Sequence, residues 1–293
     1  MTGFNRGLDD RFVDALNEEY EKHSWWSKLV DDNGLYIGIR NNYLNVYFAG
    51  GSILELHHRS LGGFTGITHF KYLLNLSREQ AHRDYVKFKN GQFDPVSIKE
   101  SYTDIARDIG KIKDAASHYQ GDEKKGVHRI SIEAKNVIDV EIQIPGERRR
   151  IDFATLQWVN DNIEIVFYEA KLYSNGDIRG VNPKVCEQIR EYESMLSRRC
   201  EEIAESYSRL VNNIVSMNGW RQRRDEIFME AANRNLSVNP KVRLAIFDFD
   251  DPQKNAANSA DGLFTKLKCI LGEDRVVAAG RPQDLKSKIK SPA

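Results

Sequence analysis

Three apolar, β-prone runs follow one another between residues 137 and 172: VIDVEIQIP, RRRIDFATLQWV and IEIVFYEAKL. The turn-forming stretches Pro145-Gly146-Glu147 and Asn160-Asp161-Asn162 separate them. Short runs rich in β-branched and aromatic residues, joined by links of this kind, predict three consecutive antiparallel strands. A long stretch of helical period follows from Asn182, read as a cap, and Pro183, read as the first helical residue. VRLAIFDFD then predicts a strand, GLFTKLKCILG a helix and RVVAA a last strand. Strands, then helices, then a return strand predict an α/β domain with a central mixed sheet flanked by helices.

The region before it reads differently. Leu8, Phe12, Ala15, Leu16 and Tyr20 have the spacing of an amphipathic helix over residues 7–22. LYIGIR, YLNVYF and SILELH, separated by Asn41-Asn42 and Gly50-Gly51, predict a three-stranded meander over residues 35–57. Turn signals at Asn90-Gly91 and Pro95 place a domain boundary there, giving an N-terminal α+β module at 1–95 and a second domain at 96–293. Ile105, Ile109, Ile112, Ala116 and Tyr119 mark a helix that breaks at Gly121, and EKKGVHRISIEAKN marks another.

The 293 residues are enough for such a core without covalent staples. Lys and Arg number 43 against 43 Asp and Glu, which excludes a simple polycationic coat for nucleic acid. Neutrality does not exclude a metal-using nuclease, whose carboxylates offset its basic residues. Cys186, Cys200 and Cys269 are odd in number and far apart, so neither a disulfide framework nor a zinc ribbon is available. No stretch approaches the ~20 apolar residues of a membrane span and no signal-like run opens the chain, so a cytoplasmic protein without membrane contact is expected.

The strands of residues 137–172 carry the chemistry. Asp152 stands between Ile151 and Phe153 on the second, and Glu169-Ala170-Lys171 closes the third. Side chains alternate along a strand, so Glu169 and Lys171 share a face beside the aspartate of the neighbouring strand. Two carboxylates so placed can hold a hard divalent cation such as Mg²⁺ through oxygen. Such an ion acidifies water and neutralises a scissile phosphate, and Lys171 is suited to orient that water or to meet developing negative charge. An acid two residues before a lysine also occurs at Asp122, Glu123, Glu133 and Asp284, so context selects Glu169. The bland alternative makes Glu169 and Lys171 an ion pair and Asp152 the cap of a sheet edge.

Asp152, the Glu169-x-Lys171 string and the following Gln188-Ile189-Arg190-Glu191-Tyr192 resemble the PD-(D/E)XK nuclease superfamily, in its RecB-like branch. The likeness runs from about residue 121 to about residue 250, with Ile151 where the motif has proline. It implies a core of helix, three antiparallel strands, helix and further strand. It also implies a Mg²⁺-dependent deoxyribonuclease, Mn²⁺ being a substitute, with Asp152, Glu169 and the Ala170 carbonyl on the metal. Gln188 and Tyr192, four residues apart and so on one helix face, would keep Lys171 and substrate in register. The family adds a glutamate from the preceding helix, for which Glu123 is preferred and Glu133 remains open. By analogy the setting would be restriction, repair or antiviral defence in a prokaryote.

Arg148, Arg149 and Arg150 lead into the Asp152 strand and either grip a phosphate backbone or decorate a solvated hairpin. Trp220 with Arg221, Arg223 and Arg224 either tracks a single strand or is helix-surface charge around a buried ring. His128 is expected to be structural rather than a ligand, His57-His58 to be surface, and Lys286, Lys288 and Lys290 to be a solvated tail. The meander, with Tyr36, Tyr43, Tyr47 and Phe48, is left to recognise DNA, a partner protein or a second protomer in a homodimer. The contrasting expectation is a catalytically silent nuclease-like subunit that binds nucleic acid or scaffolds a larger assembly.

Overall fold

The computed structural model describes residues 3–73, 85–94 and 102–290, and the chain is mixed α/β with two sheets. Residues 5–128 and 209–224 form one compact unit; residues 1–4, 129–208 and 225–293 form another. Residue 95, where the sequence places its boundary, lies outside the described residues. Among the described residues no helix is long and apolar enough to cross a membrane.

In the first unit, helices α1 (Asp10–Glu21) and α2 (Trp25–Asp31) precede strands β1 (Tyr36–Ile39), β2 (Leu44–Phe48) and β3 (Gly51–His58). The meander then continues through β4 (Phe64–His69), β5 (Tyr85–Lys89) and β6 (Gln92–Phe93) into a six-stranded antiparallel sheet in sequential order. Helices α3 (Ile105–Ser117) and α4 (Asp122–Glu133) follow. The α1 helix starts where the Asp9 carboxylate accepts from Phe12 N–H at 2.8 Å, as an N-cap does. Its Phe12 and the α2 residue Trp25 pack their rings on Phe64 at 6.0 and 5.7 Å. Strand alternation thus turns Leu44, Leu56, Phe64, Val86 and Phe88 into the core. At seven residues, α2 is too short to display a helical period, which is why the sequence does not announce it.

The second unit is built on β7 (Val137–Gln143), β8 (Arg150–Val159) and β9 (Asn162–Leu172). Helices α5 (Lys184–Ser197), α6 (Cys200–Ser216, whose residues from 209 on belong to the first unit) and α7 (Ile227–Ala232) then lead to β10 (Ser237–Phe247). Helices α8 (Asp251–Ala257) and α9 (Leu263–Leu271) and strand β11 (Val276–Ala278) complete it. The sheet order is β11-β10-β9-β8-β7, with β7, β8 and β9 antiparallel and β10 parallel to both β9 and β11. A parallel neighbour cannot be reached by a tight turn, so the helices between β9 and β10 are the crossover this pairing requires.

The long helical stretch divides into α5 and α6 instead of running through. Near the break the Ser197 hydroxyl donates to the Glu193 carbonyl at 2.8 Å, a local bond that competes with the helical ladder. Helix α5 begins at Lys184 with Pro183 in the cap position, one residue later than the sequence suggests, and no side chain caps it.

The lysines read as a solvated tail belong to an anchored segment. Leu285 and Ile289 are sealed from solvent. Asn136 and Gln157 each donate a side-chain N–H to the Ile289 carbonyl, at 2.9 and 2.8 Å. Lys286 pairs with Glu133 at 3.3 Å and Lys290 with Asp225 at 3.1 Å. Gln157 is tied in turn to Tyr168 at 2.6 Å and to Arg243 at 3.0 Å, so its buried amide has partners.

At Gly66, in the sheet of the first unit, only glycine fits. A Cβ on Gly66 would overlap the Phe88 ring and the Glu55 carbonyl of the flanking strands. Gly66→Ala is therefore expected to destabilise the protein by about 1–3 kcal/mol through overpacking. Thermal unfolding should place its Tm several degrees below wild type, while Thr65→Ala, next to it and half-buried, leaves Tm nearly unchanged.

Candidate active site

The site grows out of the β8–β9 pairing. Phe153 lies opposite Tyr168, and their rings stack in parallel at 4.7 Å. One position further towards the start of β8 and the end of β9 stand Asp152 and Glu169. Past Phe153 the Asp152 carboxylate itself accepts the Ala170 N–H, at 2.7 Å, taking the place of a ladder bond. A strand residue sends its N–H and C=O to the same neighbour, so the Ala170 carbonyl faces the Asp152 side as well. On the other side β10 presents Leu244, Ala245 and Ile246 in register with Glu169, Ala170 and Lys171.

Glu169 and Lys171 are both buried, and the ammonium meets Glu169 Oε1 at 2.5 Å. Burying either charge alone would be costly, and each is compensated by the other. A second donor comes from α5: Gln188 Nε2 approaches the same Oε1 at 2.7 Å and the Tyr192 hydroxyl at 2.7 Å. Both amide protons are thereby used. The Tyr192 hydroxyl passes its own proton to the Arg150 carbonyl at 2.7 Å. The four-residue spacing of Gln188 and Tyr192 allows one helix face to serve both bonds. Glu169, Lys171, Gln188 and Tyr192 therefore form one hydrogen-bonded group, and Asp152 joins it through the backbone N–H of Ala170. The Glu169–Lys171 ion pair and the capping role of Asp152 are also what the bland alternative foresees; the amide and phenol from α5 go beyond it.

Tyr192 is held protonated. Burial, then the negative charges of Glu169 and Asp152, push its pKa well above the ordinary tyrosine value. The phenol therefore remains a donor to Arg150 over the physiological range.

The arginines before Asp152 are exposed. Arg149 lies 3.4 Å from Glu191, and Arg150 lies 3.4 Å from Glu141 and 3.2 Å from the Gln143 amide oxygen. Among the described residues no ion pair joins Arg148 to an acid. Glu123 lies in the first turn of α4, at the end that belongs to the first unit, and Glu133 near its other end is the partner of Lys286. Glu141 was not singled out in the sequence. The pairs Val140–Phe153 and Ile142–Ile151 flank it and set it across from Asp152, so acids of three adjacent strands fall in one row. Its φ of +50° is a left-handed conformation that costs a non-glycine residue about 1–2 kcal/mol. Only the hairpin register, which a single strand does not reveal, could have pointed to it.

Other candidates have structural occupations in the first unit. His128 is buried, with Nε2 3.0 Å from the Gly34 carbonyl and its ring against Phe48. Trp220 is buried, Arg223 donates to the carbonyls of Val30, Asp32 and Leu35, and Arg224 lies over the Tyr36 ring at 5.1 Å. These arginines neutralise carbonyls and cover rings instead of facing a strand of nucleic acid.

The oxygens available to a metal are the carboxylates of Asp152 and Glu169 and the Ala170 carbonyl. Among the described residues no three His, Cys, Asp or Glu side chains are grouped closely enough to share an ion. A set of two carboxylates and one carbonyl is hard and oxygen-only, which fits Mg²⁺ or Mn²⁺ and is unsuited to zinc. No family model matches the chain, and neither a curated protein nor a solved structure matches it.

Tyr192→Phe removes one hydroxyl and strands two partners, the Gln188 amide and the Arg150 carbonyl. A loss of about 1–3 kcal/mol at neutral pH is expected from denaturant unfolding. Because the folded-state pKa is raised, the phenol's contribution is full below the ordinary value of about 10 and fades as pH climbs towards the folded value. The stability gap between wild type and variant should therefore narrow above about pH 10; a gap that widens there contradicts the assignment.

Proposed function

We propose that this chain is a metal-dependent DNA nuclease of the PD-(D/E)XK type, hydrolysing phosphodiester bonds at the Asp152–Glu169–Lys171 group. The observation that carries the reading is that Glu169, Lys171, Gln188 and Tyr192 share one hydrogen-bonded group while Asp152, on the next strand, holds the backbone N–H of Ala170 between Glu169 and Lys171. The arrangement of the second unit also supports it. Three antiparallel strands, crossover helices and a parallel strand follow a helix, the order expected of that superfamily's core.

Asp152, Glu169 and the Ala170 carbonyl would hold Mg²⁺ or Mn²⁺, which when bound supplies positive charge to acidify water and neutralise a phosphate. Lys171 brings a second positive charge to the same place, suited to orient an attacking water or to steady charge developing on phosphate oxygens. Gln188 fixes Glu169 through Oε1, and Tyr192 fixes Gln188, so the acid is kept in one rotamer. Exposed Arg148, with Arg149 and Arg150 beside it, is placed to steer the backbone of the substrate. The neutral chain lacks an excess positive field, so binding to DNA is expected to be weak and sensitive to salt.

The test is cleavage of linear duplex, circular duplex and single-stranded DNA with Mg²⁺ or Mn²⁺. Wild type should cut at least one of these, and Lys171→Ala should slow the step by about 10²–10³-fold, the loss typical of one charge-stabilising group. Asp152→Asn should lose cleavage together with the Mn²⁺-induced rise in Tm. If wild type binds DNA but cuts none of the forms, the enzyme reading fails and the silent binding subunit takes its place.

A further inference from the structure

The sheet of the first unit has a second face. Opposite the buried row of Leu56, Gly66 and Phe88, the register sets His57 beside Thr65 and Thr65 beside Lys89, then Lys89 beside Gln92. A parallel row sets Glu55 beside Ile67 and Ile67 beside Lys87, and a third sets His69 beside Tyr85. On this face lies an open hollow of about 720 Å³ whose lining includes His57, Ile67, Lys87, Lys89 and Gln92 together with one acid, Asp94.

The chemistry of this hollow is two-fold. Ile67 lies in its floor, and on the same sheet face Tyr43 stacks on the lining residue His57 at 5.2 Å with the rings 23° from parallel, while Tyr85, two residues before Lys87, is 53% exposed. The wall of the hollow carries two lysines against the one acid, Asp94. Lys87 and Lys89 are exposed, stand two residues apart on one strand and so point the same way, about 6.8 Å from each other. Among the described residues no ion pair ties either lysine to an acid, and Glu55 is already engaged by His57 at 2.8 Å. Towards β1 the same face is closed, because Arg40 lies over Tyr47 and Arg224 over Tyr36. The open part is therefore confined to β3–β6.

Two exposed lysines side by side on one strand favour a polyanion, and ring and methyl surface beside them favours one with exposed flat faces. A duplex offers only its phosphates to such a floor, and an acidic peptide has no bases to lay on it. We propose that this face is a platform for single-stranded DNA, with bases laid on Tyr43–His57, Ile67 and Tyr85 and phosphates met by Lys87 and Lys89. The choice of DNA rests on the nuclease reading; the placement on this face does not.

The experiment is fluorescence anisotropy with the full chain in EDTA, using a labelled single-stranded DNA 12-mer, its duplex, the same sequence as RNA, and polyglutamate. The single-stranded DNA should bind best. Lys87→Ala/Lys89→Ala should raise its Kd at least tenfold and lower the slope of log affinity against log salt by about 1.4, about 0.7 for each phosphate that the protein no longer neutralises. Tyr85→Ala should weaken binding severalfold with the slope unchanged, and all variants should melt like wild type because the altered side chains are exposed. An unchanged Kd and slope in the double variant overturns the proposal, as does equal or tighter binding of duplex, RNA or polyglutamate. The two readings fail separately. Binding through Lys87 and Lys89 by a protein that never cuts supports the platform and removes only the nuclease; cutting by a protein whose binding ignores both lysines removes only the platform.

Discussion

Glu169 is a carboxylate almost closed off from water, and everything around it can be understood as what such a group demands. An ion left alone in that position would carry a desolvation penalty of several kcal/mol. Lys171 supplies the opposite charge from the same strand, two residues on, where alternation puts it on the same face. Gln188 supplies a neutral donor, which requires α5 to lie against the end of β9. Tyr192 then holds Gln188 and reaches back to the start of β8. One buried charge thus binds two strands and a helix into a single geometry.

Much of this could be read from residues. The strand that ends in Glu169-Ala170-Lys171 declares its alternation, and the spacing of Gln188 and Tyr192 declares a helix face. What could not be read are features set by distant partners. That the meander continues through β4, β5 and β6 depends on which runs pair, and His69 and Tyr85 meet across a long stretch of sequence. Arg223 looks in sequence like a cation seeking an anion, yet backbone carbonyls occupy it and burial lowers its pKa. Lys286 and Lys290 look like tail residues because nothing local shows that Leu285 and Ile289 beside them are sealed inside. Glu141 is one acid among 43 Asp and Glu until the register of β7 and β8 sets it across from Asp152.

The two faces of β9 divide the labour. Glu169 and Lys171 point to one side and join the candidate site. Tyr168 points to the other, stacked on Phe153 and hydrogen-bonded to Gln157 and Arg243. The second network contains no acid among its named members and makes only structural bonds. A strand clamped through one face is stiff on the other, and small errors in the placing of catalytic side chains are costly. Rigidity at Glu169 thus derives in part from residues on the opposite face of its strand.

The anchoring of Ile289 has a consequence for how the protein is made. Asn136 grips a carbonyl that lies 153 residues further along the chain. During synthesis β7, β8 and β9 leave the ribosome long before that carbonyl exists, with β10 also still to come. Until residues 285–289 arrive, the amides of Asn136 and Gln157 and the apolar surface that receives Leu285 and Ile289 have no native covering. At about 5–20 residues per second that interval lasts on the order of ten to thirty seconds. The nascent sheet is therefore a natural client for a chaperone during elongation.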